Sequence, residues 1–411
     1  MLSFKRHTID IPPLNYLKKL YFGNKYFALS IIFLGLITGM LIEIHNHRFW
    51  QSDFKVFYKA ANRLLKGETL DKGNNIDGFY RYKYSPPGAI YFIPFAILPL
   101  PLAKVAYWIF LSLIICFGFY LIIRLCLPNA PPKTINNTVF LGSLILIAHI
   151  QRELHLGQVN HLLLVLYILA LYFYMKGKDI QTSLIIAMTV FLKPFGLIFI
   201  PYFLVKKNFR MLLYFLGFIV LLGFLPILFY HFNIDAFALQ YKMWIYELTQ
   251  ELSEKQNLDS SHIHTIFALL VKYTPLRYLP FTPVTTIVFQ FIVLGILGFI
   301  FLNVMKKGKD LKSPELLEGA VLITLIPLLA TTSHNAFGFA ELAVFLLISR
   351  FNLMPRTLKI VVIVGFVLLG MNLHDLWGQR LWNIFNNLSL VGVGALLILI
   401  SLLWLRNLEI A

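Results

Sequence analysis

Long apolar runs recur along this chain, and few environments accommodate so many of them. Segments near 27–44, 104–124, 137–150, 160–175, 211–230, 283–304, 314–332, 336–350, 358–373 and 389–406 are apolar almost throughout. Most approach the roughly 20 residues that carry a helix across a bilayer. Only 13% of the residues are charged, against about 25% in soluble proteins, so an ordinary water-exposed surface cannot be built. The expected fold is an all-α polytopic membrane protein of about twelve crossings, with residues 1–411 as a single integral membrane domain. Lys plus Arg outnumber Asp plus Glu by 36 to 19. In such a chain this excess marks loops held against the cytoplasmic leaflet, not nucleic acid.

The two cysteines, Cys116 and Cys126, share one apolar stretch, which excludes a disulfide framework and a Cys-based metal site. The first apolar run follows a basic tail and is followed by Glu43, His45, Asn46, His47 and Arg48 with no small-x-small site, so an uncleaved first span is expected.

Charge and parity set the expected topology. With residues 1–26 as a cytoplasmic tail, residues 45–103 form a first outer loop. The clusters Lys176/Lys178, Lys206/Lys207/Arg210, Lys306/Lys307/Lys309/Lys312 and Arg350/Arg356/Lys359 belong inside. Two inside clusters flank residues 180–205, so this stretch must cross an even number of times. A pair of half-helices meeting at Lys193-Pro194 satisfies that, because a residue before proline avoids helical geometry and broken helices persist where they line a polar cavity. Residues 85–99, broken by proline, are then expected to lie in the outer leaflet, a plain single span being the alternative. Residues 231–282 form a long outer loop.

The outer face carries the candidate chemistry. In SDFKVFYKAANRLLKG, Phe54, Phe57, Tyr58, Ala61, Leu64 and Leu65 recur at helical spacing between a candidate cap, Ser52, and a stop, Gly67, opposite Lys55, Lys59, Arg63 and Lys66. This reads as an interfacial helix with its basic face toward lipid phosphates. Asp53 sits in its first turn, where a carboxylate is favoured; spacing leaves both helix capping and proton acceptance open. In GFYRYKYSPP, Tyr80, Tyr82 and Tyr84 alternate with Arg81 and Lys83, a set that suits sugar rings and phosphate or an aromatic belt. The turn QRELHLGQVNH concentrates Gln151, Arg152, Glu153, His155, Gln158, Asn160 and His161; its histidines lack carboxylate spacing for a metal. Lys193 lies within an apolar stretch, where a cation either meets an anion in a cavity or snorkels to the interface. His334 stands at an outer span end, and Glu341 has no evident partner.

Together these segments resemble glycosyltransferase family 87 of the GT-C membrane class. The matching residues are Asp53-Phe-Lys-Val-Phe-Tyr-Lys-Ala-Ala with Leu64-Leu-Lys-Gly67, Tyr84-Ser-Pro-Pro87 with Pro94 and Leu98-Pro99, Gly157-Gln-Val-Asn160, and Leu192-Lys-Pro194 ahead of KKNFR. The resemblance implies a GT-C fold and transfer of a sugar, mannose-like, from a polyprenyl-phosphate donor to a lipid or glycan acceptor at the non-cytoplasmic face of the cell membrane. Asp53 would act as general base, with Lys193, Arg152, His334 and Lys83 on the donor phosphate and Tyr58, Arg81, Tyr84, Gln158 and Asn160 on substrate. No metal or other cofactor is expected. One departure stands out: the later outer segment reads SSHIHTIFALLVKY where relatives more often carry an Asn-Gln-Ser type sequence. The competing readings are a lipid or sugar-lipid transporter and a surface-polysaccharide polymerase or ligase.

Overall fold

The structure is a computed structural model and describes residues 12–73, 80–254, 258–306, 314–330 and 334–410. Among these it is all helical. In chain order come α1 (Pro12–Gly23), α2 (Phe27–His45), α3 (Ser52–Leu65), α4 (Ile93–Ala96), α5 (Leu100–Cys126), α6 (Pro132–Leu156), α7 (Asn160–Met175), α8 (Asp179–Leu192), α9 (Phe199–Val205) and α10 (Phe209–Phe224). They are followed by α11 (Ile234–Glu254), α12 (Ile266–Tyr273), α13 (Pro283–Lys306), α14 (Pro314–Leu329), α15 (Glu341–Arg350), α16 (Arg356–Gly370), α17 (His374–Asn387) and α18 (Leu390–Ile410). Short 3-10 turns run into several of these helices, notably at Pro86–Phe92, Pro194–Ile198 and His334–Ala340.

Seven helical stretches among the described residues are long and apolar enough to cross a membrane, with shorter apolar helices beside them. α2 alone, at 19 residues, reaches ~28 Å, about the hydrocarbon thickness. Apolar helices outside these seven are shorter, and α7 is packed between α5 and α8. A helix surrounded by protein need not span the lipid unaided. α13 is the opposite case, with Phe291 and Phe299 largely exposed, a surface suited to acyl chains.

The expected break at Lys193 is present. α8 stops at Leu192, Lys193 adopts an extended conformation (φ −146°, ψ 135°), and the chain resumes through Pro194–Ile198 into α9. Proline forbids the helical geometry at Lys193, and the side chain thereby leaves the helix.

Residues 86–96 are a 3-10 turn plus one helical turn, ~20 Å at most, and Pro86, Pro87, Gly88 and Ala89 are buried. Ser85 Oγ donates to the Phe191 carbonyl at 2.6 Å, and a Cβ on Gly88 would stand 2.8 Å from that same oxygen. The start of this segment is therefore docked on the end of α8. Further on, α11 and α12 lie within residues 231–282. α11 fastens to the segment between α3 and α4 through Gln240, which accepts the Leu70 N–H at 3.0 Å, and Glu247, which pairs with Arg81 at 2.5 Å.

At the end carrying the Lys206-Lys207 turn, the fully buried Arg406 of α18 meets Glu318 of α14 at 3.0 Å and donates to the Val304 carbonyl. Glu318 also takes Lys206 at 2.8 Å and the Tyr202 hydroxyl at 3.0 Å. Removing Glu318 strands the fully buried Arg406 without a carboxylate, a loss of ~3–5 kcal/mol. Glu318→Gln is expected to lower the thermal midpoint in detergent markedly. In Arg406→Ala/Glu318→Gln part of that loss should return, and additive losses would contradict a coupled cluster.

Candidate active site

Helix α3 begins at Ser52, but Ser52 is not its cap. That position belongs to Gln51, in a left-handed conformation (φ 43°), with no side-chain capping hydrogen bond. Gln51 instead donates its N–H to the His155 carbonyl at 3.1 Å, tying the start of α3 to the end of α6. The apolar face of α3 (Phe54, Phe57, Ala60, Ala61, Leu64) is buried within the protein, against the Pro86–Phe92 turn, α4 and α5. The helix thus covers the bundle instead of sinking its apolar face into lipid.

α6 ends at Gly157, whose φ of +68° lets the Gly157 and Gln158 N–H groups return to the Glu153 carbonyl at 2.9 and 3.0 Å. A Cβ at Gly157 would lie 2.7 Å from the Phe54 Cβ. This close approach sets Gln158 against α3, and its Nε2 donates to the Asp53 carboxylate. Tyr107 of α5 clamps both sides, its ring stacked on Phe54 at 4.3 Å and its hydroxyl donating to the Gln158 carbonyl at 2.9 Å.

Asp53 is thereby engaged by a side chain from another element. Burial holds its carboxyl above the ordinary carboxylate range; Lys193 and the Gln158 hydrogen bond oppose the rise, Glu153 adds to it and Lys83 opposes it. The same field identifies the residues gathered around the carboxylate. Lys193 Nζ donates to Asn160 Oδ1 at 2.7 Å, and Asn160 Nδ2 donates to Glu153 Oε2 at 3.0 Å. Asp53, Gln158, Asn160, Lys193 and Lys83 therefore come together from four separate stretches of sequence.

Arg152 and His334 belong to an adjoining group. Arg152, His149, His262 and His264 all act electrostatically on His334, and the His264 and His334 rings stand 6.0 Å apart. Burial pushes the His264 imidazole down to about 3, with Lys272, His262 and Arg152 adding to the shift, so the ring is neutral at physiological pH. Both His264 nitrogens and His334 Nε2 are buried without a hydrogen-bond partner among the described residues. Trp382 of α17 lies over the group, 6.2 Å from the His334 ring. The two groups meet on α6, which supplies His149 and Arg152 to one and Glu153 to the other.

The remaining candidates hold structural partners. The Tyr58 hydroxyl donates to the Leu98 carbonyl at 2.7 Å, and Arg81 bridges Asp71 at 3.2 Å and Glu247. The Tyr84 ring packs edge-on against Phe57 at 4.8 Å.

A bundle of membrane helices with a half-buried acid, flanking cations and a neutral imidazole at one end defines the class, an integral membrane protein with a polar site built into its helix ends. The profile of glycosyltransferase family 87 matches residues 82–349, and the chain belongs to that family and is a membrane glycosyltransferase. No curated protein sequence matches it.

Gly157→Ala tests the assembly of the site. A side chain forced into the left-handed region costs ~1–2 kcal/mol, before the contact with Phe54. The variant is expected to lose thermal stability and most transferase activity, and unchanged activity would contradict the role of this contact.

Proposed function

We propose that Asp53 is the general base of an inverting transfer in which the sugar donor is a polyprenyl-phosphate hexose of the mannose type. The acceptor is a lipid or glycan hydroxyl at the non-cytoplasmic face of the cell membrane. The observation that carries this reading is the position of Asp53: half-buried, raised in pKa, and hydrogen-bonded by Gln158 with Lys193 and Lys83 in its field.

The acceptor oxygen attacks the anomeric carbon while its proton passes to the Asp53 carboxylate. The new glycosidic bond forms as the bond from the anomeric carbon to the phosphate oxygen breaks, and polyprenyl phosphate leaves with the electron pair. Proton acceptance of this kind is typically worth ~10² to 10⁴ in rate. The charge gained by the leaving phosphate is offset by Lys193, Arg152 and Lys83, a contribution that grows where water is excluded. Because His264 is neutral, it and His334 serve as hydrogen-bond partners for phosphate or sugar oxygens. The leaving group is a phosphate monoester and the protein supplies several cations, so the chemistry does not call for a divalent ion, and activity is expected to survive EDTA.

Membranes containing the protein, given labelled polyprenyl-phosphate mannose and acceptor lipids, should form a new glycosidic product. Relocation of label without that product would favour a transporter. Asp53→Asn should lower kcat/KM by ~10²- to 10⁴-fold, and near-normal turnover would defeat the assignment.

The pH profile carries a further sign. Asp53 must be ionised to accept a proton, so activity falls as pH drops through its raised pKa. Lys193→Ala removes a cation that holds that pKa down, and the acidic limb of kcat/KM should move to higher pH. An unmoved limb would place Lys193 outside the site.

A further inference from the structure

Behind Asn160 lies a group to which the reaction as written gives no part. Glu153 and Glu341 are 0% and 1% exposed, and the ring of His161, 2% exposed, stands between them. His161 Nδ1 is 4.0 Å from Glu153 Oε1, and its Nε2 is 3.5 Å from Glu341 Oε2. Each carboxylate also occupies a helix start. Glu153 Oε1 accepts the His161 N–H at the first turn of α7 at 2.8 Å, and Glu341 opens α15. Helix N-termini favour carboxylates.

The Asn160 amide gives this packing a consequence. Its Nδ2 donates to Glu153 while its Oδ1 accepts from Lys193 Nζ. The Glu153 carboxylate accepts from both Asn160 and the His161 backbone, which fixes the amide with its oxygen toward Lys193. The charged and titratable groups facing the His161 ring are Glu153 and His149 of α6 and Glu341 of α15.

We propose that His161, packed between Glu153 and Glu341, is a positioning residue that fixes the Glu153 carboxylate and, through the Asn160 amide, holds Lys193 in place beside Asp53. It touches no substrate. The inference rests on the reading above, in which Asp53 is the base and Lys193 faces the leaving phosphate. It also gives Glu341, unassigned in the sequence, a part in the site.

The test uses the full-length protein in lipid nanodiscs with labelled polyprenyl-phosphate mannose, comparing His161→Gln, Glu341→Gln, Lys193→Ala, their pairwise combinations and Asp53→Asn. His161→Gln is expected to lower kcat by about tenfold or more, as loss of a charged positioning contact does. It should also move the acidic limb of kcat/KM upward, in the direction of Lys193→Ala and by less. Lys193 acts on Asp53 more strongly than Glu153 does, so loosening the lysine sets the direction of the shift. Because His161 acts through Lys193, adding His161→Gln to Lys193→Ala should change kcat/KM little beyond the single variant. Glu341→Gln should show the same two signatures more weakly and serves if His161→Gln does not fold.

Fully multiplicative losses in the double variants, or an acidic limb that stays in place, would overturn the proposal. So would failure of both single variants to fold, which would make the group a packing element only. If Asp53→Asn retains turnover, the reading of the base fails. If Asp53→Asn is inactive while the His161 and Glu341 variants keep the parent's limb, the positioning role alone fails.

Discussion

The site depends on one close approach between backbones. Gly157 turns the chain from α6 into α7 in a conformation that L side chains rarely adopt, and no Cβ fits between it and Phe54. That contact sets the turn against the first residues of α3, so Gln158 reaches Asp53 and Asn160 reaches Lys193. Tyr107 fixes the arrangement from a third helix, using its ring on one side and its hydroxyl on the other. A carboxylate near the membrane boundary becomes a candidate base because of this packing, since in an isolated α3 it would be a solvated first-turn acid.

Charge placement divides the molecule's ends. One end carries the basic turns and the closed cluster of Glu318, Lys206 and Arg406, in which each charge is matched by a neighbour and α18 is fixed to the bundle. At the other, acids and bases are interleaved. Asp53, Glu153 and Glu341 are set among Lys193, Lys83, Arg152 and His161, with neutral His264 beside them. A matched cluster suits holding helices together. The second arrangement keeps cations near a carboxylate without matching every charge inside the protein, which suits a reaction in which charge develops.

Much of this was legible in the sequence because it follows from strong local rules. Span-length apolar runs gave the membrane helices, Pro194 marked the break that frees Lys193, and Gly67 ended α3 where expected. Spacing left open whether Asp53 capped its own helix or served a site, and its hydrogen-bond partner, Gln158, lies 105 residues away. The packing of residues 86–89 on the end of α8 was equally hidden, because a proline-broken apolar stretch reads the same whether its neighbour is lipid or protein. Glu153 stood in a conspicuously polar turn, yet its role appears only once α7 folds back and offers Asn160 and His161. His264 lay in the segment that departs from the family pattern; the departure drew attention to it, but only the tertiary fold sets it beside His334.

The central claim is that one acid and several cations, distant in the chain, surround a single glycolipid head group. A structure of the protein with a non-transferable phosphonate analogue of a polyprenyl-phosphate sugar tests it most directly. The account predicts the anomeric carbon at the Asp53 carboxylate, with room for an acceptor oxygen ~3–3.5 Å from that carbon, and the phosphonate among Lys193, Arg152 and His334. A head group bound elsewhere in the bundle, or turned with its phosphonate against Asp53, would contradict it.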